Sequence, residues 1–182
     1  MKQNKAEKLL AGVLSISLAM GVSVMPAFAA QVQGPPYEDM SRVYLTKNYE
    51  LANTGTISPE ETFTFTIDPG TVTDASEGID AADYLPNVGS VTYRQGEAGS
   101  ANKTRQIEIQ LPKYDSVGVY TYIIHEVEGN SAGVTYYGDA ILLRVTVIEQ
   151  DGKLRIAAVH TEDPESTGEG KKDDFDNLYS AG

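Results

Sequence analysis

The sequence predicts an all-β protein with an immunoglobulin-like β-sandwich fold. Short runs rich in Tyr, Ile, Val and Thr recur along the chain and are separated by Gly, Pro, Asn and Asp, which is typical of strands joined by turns. One run alternates Phe63, Phe65 and Ile67 with threonines, so one face of that strand would be buried. No internal repeat, heptad pattern or long amphipathic helix is present. Regularly spaced short strands of this kind favour two packed sheets.

The first half of the chain contains four predicted strands: residues 42–47, 62–67, 90–94 and 105–111. Asp68, Pro69 and Gly70 are expected to end the second strand, and Pro112 the fourth, because proline cannot donate a hydrogen bond to a strand ladder. The acidic residues 71–87 predict a loop with one helical turn near residues 80–84.

The second half contains four more predicted strands: residues 118–127, 140–149, 154–160 and 174–179. Asp151 and Gly152 favour a tight hairpin turn between the second and third of these, since both residues tolerate positive φ. Residues 161–172 are polar and acidic, which indicates an exposed connection to the last strand.

The N-terminus has the pattern of a secretory signal peptide. Lys2, Lys5 and Lys8 precede an apolar stretch at residues 9–24, and Ala27, Phe28 and Ala29 form an A-x-A cleavage signal. We expect residues 1–29 to be removed, residues 30–40 to form an exposed leader, and residues 41–182 to form the β-domain. The apolar stretch is short for a membrane-spanning helix, so export is favoured over anchoring.

The exported chain is acidic and lacks cysteine. Removal of residues 1–29 takes the formal net charge from −12 to −14. This charge argues against nucleic acid and anionic membranes as partners, and solubility alone is its simplest explanation. Many secreted domains depend on disulfides, so this one must be stable without a covalent link or use a different one.

Three polar residues occupy strand positions whose neighbours are apolar. Lys47 ends an alternation that begins at Val43, Glu126 ends one that begins at Tyr120, and Asn177 shares its parity with Phe175. Side chains two apart on a strand share a face, so the three polar groups would point into the core. The alternative is that they lie at an edge or surface. The strand at residues 118–127 leaves this open, because apolar residues also mark its opposite face.

A buried amine, carboxyl and carboxamide are the reactants for forming an amide. Burial lowers the pKa of a lysine, which makes the amine a nucleophile, and raises that of a glutamic acid. Such a carboxyl can polarise an amide and shuttle protons to the departing ammonia. Contact between amine and amide would supply the effective concentration that the reaction needs. The product would be an Nε–Cγ isopeptide bond.

The chain resembles the isopeptide-linkage domain of Gram-positive major pilins of the streptococcal type. The resemblance covers residues 42–182 and rests on five segments in order: YLTKNYEL, FTFTIDP, VGVYTYIIHE, GVTYYGDAILLRVTV and FDNLYSAG. It implies a bond from Lys47 in the first strand to Asn177 in the last, formed with Glu126 as the catalytic residue. Formation would occur once per molecule, so the protein would not be an enzyme in the ordinary sense.

The resemblance also implies a function and partners. A pilus shaft subunit at the cell surface would assemble with other pilin subunits through a sortase; the alternative is an adhesin stalk or tip domain that binds a host ligand. Major pilins continue into further domains and a sorting signal. This sequence shows no LPxTG-like signal, so we expect it to be the first domain of a longer protein anchored to the cell wall.

In such pilins the sortase joins one subunit to a lysine that precedes the last strand. This chain has Lys171 and Lys172 there, one residue out of register with the family pattern, and Lys113 is a weaker alternative. The two adjacent lysines are equally explained as a solvated pair. No cofactor is expected, and no metal site is predicted, because His125 and His160 lack partners at ligand spacing.

Overall fold

The structure is a computed structural model that describes residues 40–166 and 170–181. The predicted signal peptide and all but the last residue of the predicted leader therefore lie outside the described residues. The described residues belong to one compact unit. Within the described part, no helix is long and apolar enough to cross a membrane.

The regular secondary structure of the described residues is almost entirely β-strand. The strands are β1 (Arg42–Leu51), β2 (Glu61–Phe63), β3 (Phe65–Thr73), β4 (Asn87–Val88), β5 (Val91–Tyr93), β6 (Thr104–Gln110), β7 (Gly118–Glu126), β8 (Val134–Thr135), β9 (Ala140–Gln150), β10 (Lys153–Glu162) and β11 (Asp174–Tyr179). A single 3₁₀ turn, Ala81–Tyr84, follows Asp80, whose carboxylate accepts a hydrogen bond from the Ala82 amide at 2.9 Å. This is the helical turn that the sequence predicts.

The strands form two main sheets and one small one. The first sheet has the order β4-β6-β1-β11-β8, the second β10-β9-β7-β3, and β2 pairs with β5. β1 and β11, the first and last strands, are neighbours and run parallel. The core is apolar and aromatic, and its fully buried members include Leu45, Tyr49, Phe63, Tyr93, Ile107, Ile109, Tyr120, Tyr122, Ile124, Ile141, Leu143, Val145 and Phe175. The predicted all-β sandwich is confirmed.

The burial of side chains along β7 shows which of its two faces lies in the core. Tyr120, Tyr122 and Ile124 are fully buried, whereas Val119 and Ile123 are only half-buried. Glu126 shares the parity of the buried set, so its side chain enters the core. The tight turn between β9 and β10 is also as predicted: Asp151 and Gly152 have φ of 53° and 72°, the signs of a type I′ turn.

The second predicted strand is wrong in two respects. It divides at Thr64 into β2, which belongs to the small sheet, and β3, which belongs to the second sheet. β3 then continues through Pro69 and Gly70, where the sequence predicts its end. Proline is tolerated because β3 is an edge strand, and the pairing with β7 shifts register between Pro69 and Val72.

Candidate functional site

Lys47, Glu126 and Asn177 meet inside the sandwich. Lys47 lies on β1 and Asn177 on the adjacent β11, while Glu126 is the last residue of β7 in the facing sheet. They are 0%, 7% and 3% exposed, respectively. The parity argument places all three correctly, since the neighbours that share their faces form the core. One sheet thus supplies the amine and the amide, and the other supplies the carboxyl.

Each of the three side chains contacts the other two. Lys47 Nζ contacts Asn177 Oδ1, and Asn177 Nδ2 donates a hydrogen bond to Glu126 Oε1. Lys47 Nζ lies 3.3 Å from Glu126 Oε2. The three polar groups are therefore the main polar partners of one another within an apolar core. The geometry brings a potential nucleophile against an amide, with a proton carrier beside both.

Burial makes the neutral form of the Lys47 amine more accessible than it is for a free lysine, although the amine's polar and aromatic neighbours favour the charged form. The Phe63 ring lies 4.1 Å from Nζ, and the carbonyls of Asn48 and Phe175 are each 3.4 Å away. Burial lowers the pKa of Lys47 to about 8, against an opposing effect of the nearby Glu126 carboxylate. Roughly one-tenth of the amines are then neutral at pH 7, compared with fewer than about one in a thousand for a free lysine.

The two oxygens of Glu126 have different environments. Oε1 accepts the Tyr137 backbone N–H at 3.1 Å as well as the Asn177 amide. Oε2 is buried and accepts no hydrogen bond from any described residue, and it faces Lys47 Nζ. Since one oxygen is occupied by two donors, the other is the oxygen placed to exchange a proton with the amine.

Aromatic rings close the site. Phe175 on β11 packs against Phe65 with ring centroids 5.1 Å apart, and against Tyr137 at 5.2 Å. Phe63 completes this wall on the side of Lys47. The rings exclude water, which keeps the local dielectric low and lets the carboxyl act on the amine and amide rather than on solvent.

Several residues around the carboxyl are not predictable from the sequence pattern. Tyr137 contributes through its backbone amide, which no side-chain pattern reveals. Tyr136 donates a hydrogen bond to Glu61 at 2.8 Å, and both residues lie between the predicted strands. The one sequence feature that marks this segment is the adjacent pair Tyr136 and Tyr137, which lies between the two longest predicted strands.

The candidate acceptor lysines lie outside this site and differ from one another. The Lys171 side chain is 77% exposed and pairs with Asp173 at 2.6 Å. The Lys172 side chain is 28% exposed, lies 3.2 Å from Asp174 and sits 5.1 Å above the Tyr137 ring. Lys113 is exposed in the loop between β6 and β7. No described group of three or more His, Cys, Asp or Glu residues is arranged to hold a metal ion.

A sandwich whose first and last strands present an amine and an amide to one buried carboxyl is of the kind that can cross-link itself. The sequence model of the FctA family, described as the Spy0128-like isopeptide containing domain, matches residues 43–180. The chain therefore belongs to this family, and the resemblance found in the sequence is confirmed.

Its relatives are streptococcal pilins. The chain is 26% identical over 147 residues to a pilin of Streptococcus pyogenes serotype M1, covering 79% of this chain and 43% of that protein. A crystal structure of the major pilin from S. pyogenes has a TM-score of 0.60 at 24% identity, with 78% of this chain and 51% of that chain covered. The major pilin T3.2 of serotype GAS13637 has a TM-score of 0.63 at 18% identity, with 78% and 53% covered. These structures support the fold, and the chain spans about half the length of the pilins it matches.

Proposed function

We propose that this chain is a shaft domain of a cell-surface pilus, closed covalently by an isopeptide bond between Lys47 and Asn177. The observation that carries the proposal is the amine of Lys47, which is fully buried, contacts the Asn177 amide and lies 3.3 Å from Glu126. If no bond formed, the domain with these buried polar groups would be less stable than one with apolar residues in the same positions. Formation of a covalent bond would explain why the polar groups are buried there.

The reaction follows from the contacts. The neutral Lys47 amine attacks Cγ of Asn177, and Glu126 Oε2 takes a proton from Nζ as the new C–N bond forms. The carboxyl returns a proton to Asn177 Nδ2, the old C–N bond breaks and ammonia leaves. Glu126 ends in the state in which it began, and the chain loses one ammonia.

The bond would stabilise the domain without a disulfide. Lys47 and Asn177 are 130 residues apart. The chain-entropy estimate for a closed loop of this length is roughly 5 kcal/mol. Unlike a disulfide, the amide cannot be reduced, so stability would not depend on the redox state of the surroundings.

Lys171 is the better candidate for attachment of the next subunit. Its amine reaches solvent, whereas that of Lys172 is held between Asp174 and the Tyr137 ring. Lys171 also lies at the rim of a groove of about 600 Å³, whose walls include Tyr44 and His160. A sortase would join a partner pilin subunit there. Relatives that are pilins favour this shaft function over the adhesin alternative, which would bind a host ligand.

The intact mass of residues 30–182 tests the bond. A deficit of about 17 Da, one ammonia, is expected for the purified chain, together with a cross-linked peptide that contains Lys47 and Asn177. Asn177→Ala is the matched control and should show its full calculated mass. Full calculated mass for the unmodified chain would contradict the proposal.

A further inference from the structure

A second polar pair lies beside the three reacting groups and has no place in the reaction. Glu61 on β2 is 8% exposed and accepts the Tyr136 hydroxyl at 2.8 Å. A buried carboxylate costs free energy, so its retention in an apolar wall calls for an explanation. The Tyr136 ring packs edge-on against Phe63 at 5.9 Å, and Phe63 in turn contacts the Lys47 amine.

Tyr136 belongs to the capping loop, defined here as residues 127–139 between β7 and β9. Three of the loop's attachments bear on the site. β8 within it pairs with β11 at Leu178 and Tyr179, directly after Asn177. Tyr136 ties it to Glu61, and the Tyr137 N–H ties it to Glu126 Oε1.

The backbone is shaped to admit the Tyr136 hydroxyl. A Cβ added at Gly129 would overlap that hydroxyl, so the close approach requires glycine. The hydroxyl also accepts the Ser131 amide at 3.4 Å. Residue 136 is thus held from both sides, and the peptide group that follows it carries the N–H that reaches Glu126.

We propose that Tyr136 and Glu61 form a positioning pair for isopeptide formation, holding the Tyr137 N–H on Glu126 so that the carboxyl keeps Oε2 directed at Lys47. The inference rests on the proposed function and adds two residues to it. With the Tyr137 donor in place, Oε1 accepts two N–H groups and the carboxyl plane is fixed. Without the Tyr137 N–H, the Glu126 carboxyl can rotate, and Oε2 no longer stays within 3.3 Å of Lys47 Nζ.

The test is the rate of ammonia loss, followed by intact mass after a short pulse of cell-free synthesis of residues 30–182. Tyr136→Phe and Glu61→Leu should each slow the reaction about tenfold or more, because small misplacements of reacting groups have large effects on rate. Gly129→Ala should do the same while leaving both side chains chemically intact. Glu61→Gln keeps an acceptor for the hydroxyl and should retain a rate near that of the unmodified chain.

The control is Tyr114→Phe, which removes another buried hydroxyl of the same sandwich, bonded to Tyr122 at 3.1 Å. Tyr114→Phe should lower the melting temperature about as much as Tyr136→Phe does, but it should not slow isopeptide formation. The amide proton of Tyr137, observed by NMR in the Asn177→Ala background, should shift on addition of Tyr136→Phe and not of Tyr114→Phe.

The outcomes separate this inference from the proposed function. An unmodified rate in Tyr136→Phe, or equal slowing in Tyr136→Phe and Tyr114→Phe, would overturn the positioning role while leaving the bond itself established. No ammonia loss from the unmodified chain would overturn both. If Tyr136→Phe slows ammonia loss and Glu61→Gln does not, the result supports the positioning role of Tyr136 and Glu61.

Discussion

Lys47 lies opposite Phe175, not opposite Asn177, in the parallel pairing of β1 with β11, and Asn177 lies opposite Tyr49. The contact between the amine and the amide is therefore diagonal and spans two residues, about 6.6 Å along the strands. Only a long unbranched side chain covers that distance, and lysine does so while its stem stays in the core.

The diagonal contact also determines how a bonded domain would carry tension. A pull applied before Lys47 and after Asn177 would pass from one strand to the other through the lysine side chain. The residues between them would lie outside the loaded path, so the β1–β11 hydrogen bonds would not be sheared apart.

The first prediction concerns the pH dependence of bond formation. The attacking amine must be neutral, and burial lowers the pKa of Lys47 to about 8. The rate should therefore rise about tenfold per pH unit from pH 6 towards pH 8 and level off above it. Intact mass after pulsed synthesis at each pH measures this. A rate independent of pH between 6 and 8 would show that deprotonation of Lys47 does not limit the reaction.

The second prediction concerns the removal of the carboxyl. Glu126→Ala should leave the fold largely intact, block the mass deficit and lower the melting temperature by roughly 10 °C or more, since the cross-link is lost. Calorimetry and intact mass measure the two effects. A deficit that persists in Glu126→Ala would remove Glu126 from the mechanism.

The same variant should become more stable as pH rises. Loss of Glu126 removes a charge that raises the pKa of Lys47, so the folded-state pKa falls further below 10.5, the value for an unperturbed lysine. Between these two pKa values the unfolded chain binds more protons, and stability increases with pH. The rise between pH 7 and 9 should disappear in Glu126→Ala with Lys47→Met.

Much of the fold and the three buried polar groups could be predicted from sequence. Alternating apolar residues mark which face of a strand is buried, and polar residues on that face are conspicuous, which is how Lys47 and Asn177 are found. β3 was harder, because whether Pro69 ends a strand depends on whether that strand is at a sheet edge. That is a property of the assembled sheet and not of the local sequence.

The residues that orient the site could not be predicted for a similar reason. Glu61 and Tyr136 are 75 residues apart and meet only when the sandwich closes. The donor to Glu126 from Tyr137 is a backbone group, which every residue but proline possesses. Likewise, the Lys172 amine lies over the ring of Tyr137, which the capping loop brings beside it, and no local pattern shows this contact.

The third prediction compares two buried tyrosines whose rings touch, with centroids 5.3 Å apart. The Tyr93 hydroxyl contacts the carbonyls of Lys47 and Lys103, each at 2.9 Å, whereas that of Tyr49 is buried without a hydrogen-bond partner among the described residues. Tyr93→Phe should destabilise the domain by about 1 kcal/mol or more, and Tyr49→Phe should be neutral or stabilising. Denaturant unfolding of both variants in the Asn177→Ala background measures the difference. Equal destabilisation by the two changes would contradict it.

The fourth prediction distinguishes the two adjacent lysines. Sortase-dependent joining requires an amine that can enter an enzyme's active site, and Lys171 is 77% exposed where Lys172 is 28% exposed. Lys171→Ala should abolish covalent ladders on denaturing gels, Lys172→Ala should retain them, and neither should change the internal mass deficit. Ladders that persist in Lys171→Ala and vanish in Lys172→Ala would reverse the assignment. Ladders that survive both changes together would direct attention to Lys113, which is exposed in the loop before β7.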